Sequence, residues 1–137
     1  MAVSSEDADF KLKVDQACLA AEEFSKLYYE TFDKKRHLVS KLYMDTAVLV
    51  WNGNSITGST EIVKFFENLP SSEHVPETLD CQPLIDQLTP GKLTIIVTVS
   101  GSSKYQHNKA TTFMQNFTLT SVNNVWKIVS DSIRFQE

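Results

Sequence analysis

Apolar side chains recur at intervals of three and four from Val14 through Ala17, Cys18, Ala21, Phe24, Leu27 and Tyr28 to Thr31. That spacing lines one stripe along a helix, so a long first helix is predicted, with Asp7 or Asp9 capping its start. Asp33 then reads as the cap of a second, shorter helix carrying Leu38 and Leu42. Residues 46–51 are rich in β-branched side chains and end in Asn52-Gly53-Asn54, a hairpin signal. A short return strand follows over 55–57. Gly58 with Ser59 or Thr60 opens a third helix, whose buried side is Ile62, Val63, Phe65, Phe66 and Leu69 and which Pro70 stops.

Beyond Pro70 the period shortens to two. Residues 74–86 read as a long strand, and Pro76 and Pro83 place it at a sheet edge or at bulges, because proline has no N–H to give a ladder. Thr89-Pro90-Gly91 turns the chain. Strands over 93–100, 111–121 and 125–135 follow, joined by Gln106-His107-Asn108 and Asn123-Asn124. The order is helix, helix, hairpin, helix, then four strands, an α+β pattern with three helices on a mainly antiparallel sheet. Residues 1–9 are expected to be a flexible terminus and 10–137 a single domain.

Alternation divides the last three strands into two faces. One collects Ile95, Val97 and Val99; Phe113, Gln115, Phe117 and Leu119; and Val125, Val129, Ile133 and Phe135, a core for the helices to cover. The other collects Thr94, Ile96, Thr98 and Ser100; Thr112, Met114, Asn116, Thr118 and Thr120; and Trp126, Ile128, Ser130, Ser132 and Arg134. Arg134 is the one charge among these 14 positions, where a chain that is 22% charged would place about three by chance. A charge-depleted face mixing small polar groups with Trp, Ile and Met fits a protein interface. The plainer alternative is a Thr-rich sheet open to water, since threonine favours strands. Within an interface Arg134 would need a carboxylate or several carbonyls to offset its desolvation.

The totals narrow the partner. A chain of 137 residues, 42% hydrophobic, suits one core. With 13 basic and 17 acidic residues the net charge is −4, which disfavours direct binding to RNA or DNA, where clustered cations displace phosphate counterions. Lys34, Lys35, Arg36 and His37 form either a solvated turn or a docking patch for an acidic partner. No apolar run approaches the roughly 18 residues of a membrane span, and the acidic start is unlike a secretory signal. Cys18 and Cys81 are therefore expected to be reduced, Asn116-Phe117-Thr118 unglycosylated, and the protein nuclear or cytoplasmic.

Catalysis would need a titratable group inside the cavity. The inward positions offer Gln115, with Lys127 and Asp131 nearer the strand ends, and His37, His74 and His107 have no carboxylate at a spacing that suggests a dyad. Gly53, Gly58, Gly91 and Gly101 are scattered, and the cysteines lack metal-ligand spacing, so no enzyme, cofactor or metal is expected. A small-molecule enzyme is kept as an alternative, because distant residues can meet in space.

The element order resembles the nuclear transport factor 2-like fold, a cone of strongly bent sheet closed by helices. Closer still is a resemblance to the NTF2-related export proteins, from about Phe10 to the end. It is carried by Val14-Asp15-Gln16-Ala17-Cys18 with Ala20-Ala21-Glu22-Glu23-Phe24, by Tyr28-Tyr29, by Leu49-Val50-Trp51-Asn52-Gly53-Asn54 and by Leu69-Pro70-Ser71-Ser72-Glu73. Asp80-Cys81-Gln82-Pro83, Gln115-Asn116-Phe117, Trp126-Lys127-Ile128 and Arg134-Phe135-Gln136 continue it in register. The resemblance implies a heterodimer with the large mRNA export receptor, shuttling through the nuclear pore on nucleoporin Phe-Gly repeats, with RNA bound only indirectly. It places the partner contacts at Thr98, Met114, Asn116, Ile128, Ser130, Ser132 and Arg134, with Cys81 beside them, and a Phe-Gly contact or a core role at Trp51. The related homodimeric carrier of Ran-GDP bears two acidic residues where Gln106 and Asn108 stand here, and a Met-rich dimer face where Thr98, Asn116 and Ser132 stand. Both differences favour the heterodimer.

Overall fold

The first helix is longer than its apolar stripe requires. In the computed structural model, which describes residues 5–84, 94–106, 108–123 and 125–136 (backbone alone at 5–7 and 9), α1 spans Ser5–Lys34. Asp7 and Asp9 therefore lie inside its first turns, within the stretch expected to be flexible, and Asp33 lies in its last turn instead of capping a new helix. Ala17, Ala21, Phe24 and Tyr28 are buried as the spacing predicts, but Leu27 is 51% exposed. The buried arc widens toward Ser25, Tyr29 and Phe32, and Leu27 falls off its opposite flank. The second helix is a 3-10 segment, Arg36–Leu42, that buries Val39.

The strands are β1 (Tyr43–Trp51), β2 (Asn54–Thr57), β3 (Ser72–Pro83), β4 (Thr94–Tyr105), β5 (Thr111–Val122) and β6 (Val125–Gln136), with α2 (Ser59–Glu67) between β2 and β3. They form one sheet in the order β2-β1-β6-β5-β4-β3. β1 runs parallel to β6, and the other neighbouring pairs are antiparallel. Asn52 (φ 46°) and Gly53 (φ 91°) make the predicted two-residue turn between β1 and β2. The expected turn at Thr89-Pro90-Gly91 lies outside the described residues.

One sheet face packs on the helices. Phe117, fully buried, meets the rings of Phe24, Tyr28 and Tyr29 at centroid distances of 5.9, 4.8 and 6.3 Å. Ile62 and Phe66 of α2 close the core beside Phe32 and Tyr43.

Bulges interrupt three ladders, and one of them changes which residues face out. Thr118 pairs with Ser130 but Leu119 with Ile128, so Val129 is an extra residue in β6. Every β6 side chain before it is turned over relative to strict alternation. Ile128 is fully buried in the core, and Trp126 packs against it, instead of standing on the outer face. Val125 and Val129, expected in the core, are 53% and 38% exposed. Lys127, expected to point inward, pairs with Thr120 on the outer face.

β3 holds the sheet edge, as Pro76 and Pro83 require, and bulges between Pro76 and Thr78. Its backbone passes over Gly101 so closely that an added Cβ would overlap the Val75 carbonyl and lie 2.8 Å from Pro76 Cα. Gly101→Ala is expected to cost about 2 kcal/mol in urea denaturation, the usual effect of overpacking against backbone that cannot yield. An unchanged midpoint would mean that the bulge relaxes freely.

Candidate partner-binding face

The outer face is built from transverse rows that the ladders hold in register. One row crosses all six strands: Asp80, Thr98, Asn116, Ser132, Val50 and Ser55. A second runs Gln82, Ile96, Thr118, Ser130, Val48 and Thr57. A third, Thr78, Ser100, Met114 and Arg134, lies toward the far end of β5. Thr98 Oγ1 donates to Asn116 Oδ1 at 2.7 Å, which fixes the amide at the centre of the face, and Thr78 and Ser100 are joined through their hydroxyls. Met114 is 54% exposed, and Asn116 and Arg134 are exposed. Among the described residues no ion pair engages Arg134. Charge is confined to the margins, with Asp80 at one side and Arg134 and Lys127 at two ends.

Val48, Val50, Ser55 and Thr57 belong to this face, although the last three strands alone pointed to it. The parallel pairing of β1 with β6 brings them there, setting Val48 opposite Ser130 and Val50 opposite Ser132. Their alternation in 46–51 was legible, but the strand's neighbour was not.

The helix-covered face carries polar groups of another kind. Tyr43 Oη donates to Asp131 Oδ2 at 2.6 Å, so the hydroxyl of Tyr28, 2.8 Å from that of Tyr43, donates to Tyr43. Gln115 Nε2 donates to both Asp131 oxygens at 2.9 and 3.1 Å, and Tyr29 Oη donates to Gln115 Oε1 at 2.8 Å. Burial pushes the Asp131 carboxyl up to about 6, against the donors Tyr43, Gln115 and Tyr28 that hold it down. Burial likewise raises the Tyr28 and Tyr43 hydroxyls well above their ordinary value.

Asp33 and His74 form a pair that sequence spacing could not reveal, being 41 residues apart. Asp33 accepts from Ser72 Oγ, from the His74 backbone N–H and from His74 Nδ1, at 2.7, 2.8 and 2.7 Å. Burial raises its carboxyl, but the bonds from His74 and Ser72 outweigh that and leave it below the usual range. The His74 side chain is 2% exposed, among the rings of Tyr29, Phe32, Tyr105 and Phe113. Arg36 donates to the carbonyls of Leu69 and Pro70, both at 2.8 Å, and to Ser72 Oγ. It caps the exit of α2, so the basic cluster offers a partner Lys34, Lys35 and His37 but not Arg36.

These elements have known counterparts. Residues 20–135 match the nuclear transport factor 2 (NTF2) domain. The chain belongs to the nuclear transport factor 2 family. It is 52% identical over 133 residues to NTF2-related export protein 1 of Bos taurus, across 94% of this chain and 95% of that protein. Nuclear transport factor 2 from Cryptosporidium parvum has the same fold, with a TM-score of 0.76 at 28% identity over 90% of this chain and 95% of that one. The C. albicans Mtr2-Mex67 M domain complex gives 0.71 at 15% identity over 88% and 96%, a likeness of fold alone. The α+β architecture expected from the element order is thus the nuclear transport factor 2 fold.

On this NTF2-family fold the structure brings together Thr98, Met114, Asn116, Ser130, Ser132 and Arg134 and excludes two residues grouped with them. Ile128 is turned into the core by the β6 bulge. Cys81 pairs with Val97, whose side chain is buried, and packs toward α1 on the helix side of β3. Trp51 is half-buried. Its ring meets Phe65, Phe66, Tyr105 and Phe135, and it lines an open pocket of about 300 Å³ with Leu69, Pro70, Asn108 and Lys109. Core packing and ligand contact are both open to this ring. Among the described residues no group of three or more His, Cys, Asp or Glu could hold a metal ion, and no helix is long and apolar enough to cross a membrane.

Proposed function

We propose that this chain is a non-enzymatic subunit of a nuclear mRNA export heterodimer, pairing its outer sheet face with the matching domain of a large export receptor. The observation that carries the reading is the set of rows centred on Asn116, where hydroxyl, amide, valine and methionine groups lie together and charge stays at the margins. Such a surface loses little on desolvation and gains apolar contact at Met114, Val48 and Val50. The bovine relative named as an export protein, 52% identical, supports the direction, and Mtr2-Mex67 supplies a two-chain precedent on the same fold. Shuttling between nucleus and cytoplasm follows from the role. RNA is met through the receptor, consistent with a net charge of −4 here.

The Trp51 pocket is the place for a phenylalanine of nucleoporin Phe-Gly repeats, with an aromatic floor and a neutral-to-basic rim of Asn52, Asn108 and Lys109. That rim, with Gln106 near it, argues against the Ran-GDP carrier, whose resemblance calls for acids there. Asp131 is enclosed by side chains, and His74, which lines an open pocket with Asp33 and Tyr29, keeps its ring only 2% exposed with Nδ1 committed to Asp33, which argues against acid–base catalysis on a bound substrate.

Co-expression with the export receptor's matching domain is expected to yield a 1:1 complex on size-exclusion chromatography. Failure to co-elute when both chains are folded would overturn the reading. A homodimer that retains GDP-bound Ran would replace it with the import carrier.

A further inference from the structure

Two thiols meet where α1 crosses the edge strand. Cys18 and Cys81, both free and half-buried, have their sulfurs 2.8 Å apart although 63 residues separate them in sequence. A disulfide bond is about 2.0 Å long, so closing the gap needs a movement of less than about 1 Å. Asp33 of α1 and Ser72 clamp the strand's other end.

We infer that Cys18 and Cys81 are the two halves of a reversible redox staple, oxidised to an intramolecular disulfide by a small-molecule disulfide such as oxidised glutathione. The Cys81 S–H donates toward Cys18 Sγ, which makes Cys18 the attacking sulfur and Cys81 the resolving one. Cys18 displaces one glutathione thiolate and forms a mixed disulfide, losing its proton. Cys81 then attacks the Cys18 sulfur, loses its proton and releases the second glutathione. Two protons and two electrons leave the protein and appear in two glutathione thiols. In the reduced pair, burial, the bond to Cys18 and the nearby Cys18, Glu22 and Asp80 push the Cys81 thiol up to about 12, so Cys81 stays protonated there. A reducing compartment keeps the staple open, and oxidative conditions close it. Asp80 and Gln82, which flank Cys81, stand on the outer face beside Thr98 and Ile96. The closed staple therefore stiffens one margin of that face.

The reduced full-length chain is incubated with oxidised glutathione, and free thiols are then blocked under denaturing conditions before intact-mass analysis. Both thiols are expected to disappear together with no glutathione retained, and the melting temperature to rise by about 10 °C, reversibly with dithiothreitol. Cys81→Ser is expected to keep glutathione on Cys18 and to show no rise. Wild-type protein that retains glutathione without an internal bond would overturn the staple. So would thiols that stay unreacted in the folded chain under conditions that oxidise the urea-unfolded chain, or an internal bond that lowers the melting temperature.

Discussion

Arg134→Glu is expected to weaken binding of the export receptor's domain by on the order of 100-fold or more while leaving the free chain folded. The guanidinium is exposed, stands opposite Met114 across the β5–β6 ladder and is engaged by no ion pair among the described residues. It therefore contributes little to the fold, and a surface change of this kind shifts stability by about 0.5 kcal/mol or less. In the proposed heterodimer the situation reverses. A cation at the end of a face whose centre is uncharged would have to meet a carboxylate or several carbonyls of the partner, and a glutamate there would face like charge or unpaired acceptors in a poorly hydrated place. Calorimetry with the isolated receptor domain measures the loss, and thermal melting of the free chain serves as the folding control. Equal affinity in the two proteins would take Arg134 out of the interface.

The second large effect concerns stability against pH. Asp131 is raised in the fold to about 6 from an ordinary 3.8, so its contribution is fully present below pH 4 and is lost as pH rises through 6. The loss amounts to about 2 kcal/mol between pH 4 and 7. Asp131→Asn removes the titration but keeps the size and the acceptor for Tyr43. Its stability relative to wild type is therefore expected to improve by that amount across the window, whatever constant cost arises where the new amide meets Gln115. Asp33 does not blur the result. Its lowered carboxyl keeps its contribution above the ordinary value and loses it only as pH falls further. Urea denaturation of both proteins at several pH values gives the difference directly. A difference that stays constant with pH would show that Asp131 is not the titrating group.

Much of the fold was legible because it depends on local rules. The helical stripe, the Asn52-Gly53 turn, the stop at Pro70 and the edge position of the proline-bearing strand each follow from a few neighbouring residues. What failed depends on pairing. Ile128 and Val129 are both apolar and β-branched, so nothing in the residues themselves says where β6 takes its extra residue, and one bulge exchanges the two faces upstream of it. Cys81 was grouped with the partner contacts by resemblance, whereas its register opposite Val97 puts it under α1. Asp33 looked like a cap because it follows a helix and precedes another segment. Its true partners, Ser72 and His74, come from a strand that only tertiary contact brings near. Val48 and Val50 were missed on the binding face for a related reason: the parallel neighbour of β1 lies some 80 residues away in sequence, and no turn announces it.

That parallel neighbour also bears on how the protein is made. β6 sits between β1 and β5, so the β1–β2 hairpin, though synthesised early, has no sheet to join until the last of the described strands has left the ribosome. Contacts of such long range are slow to form, and an unpaired β1 edge is exposed during elongation. The rows through Asn116 are completed in the same step that seals this edge. A nascent chain therefore cannot present the full face before β6 is in place, so the proposed pairing through that face would follow folding.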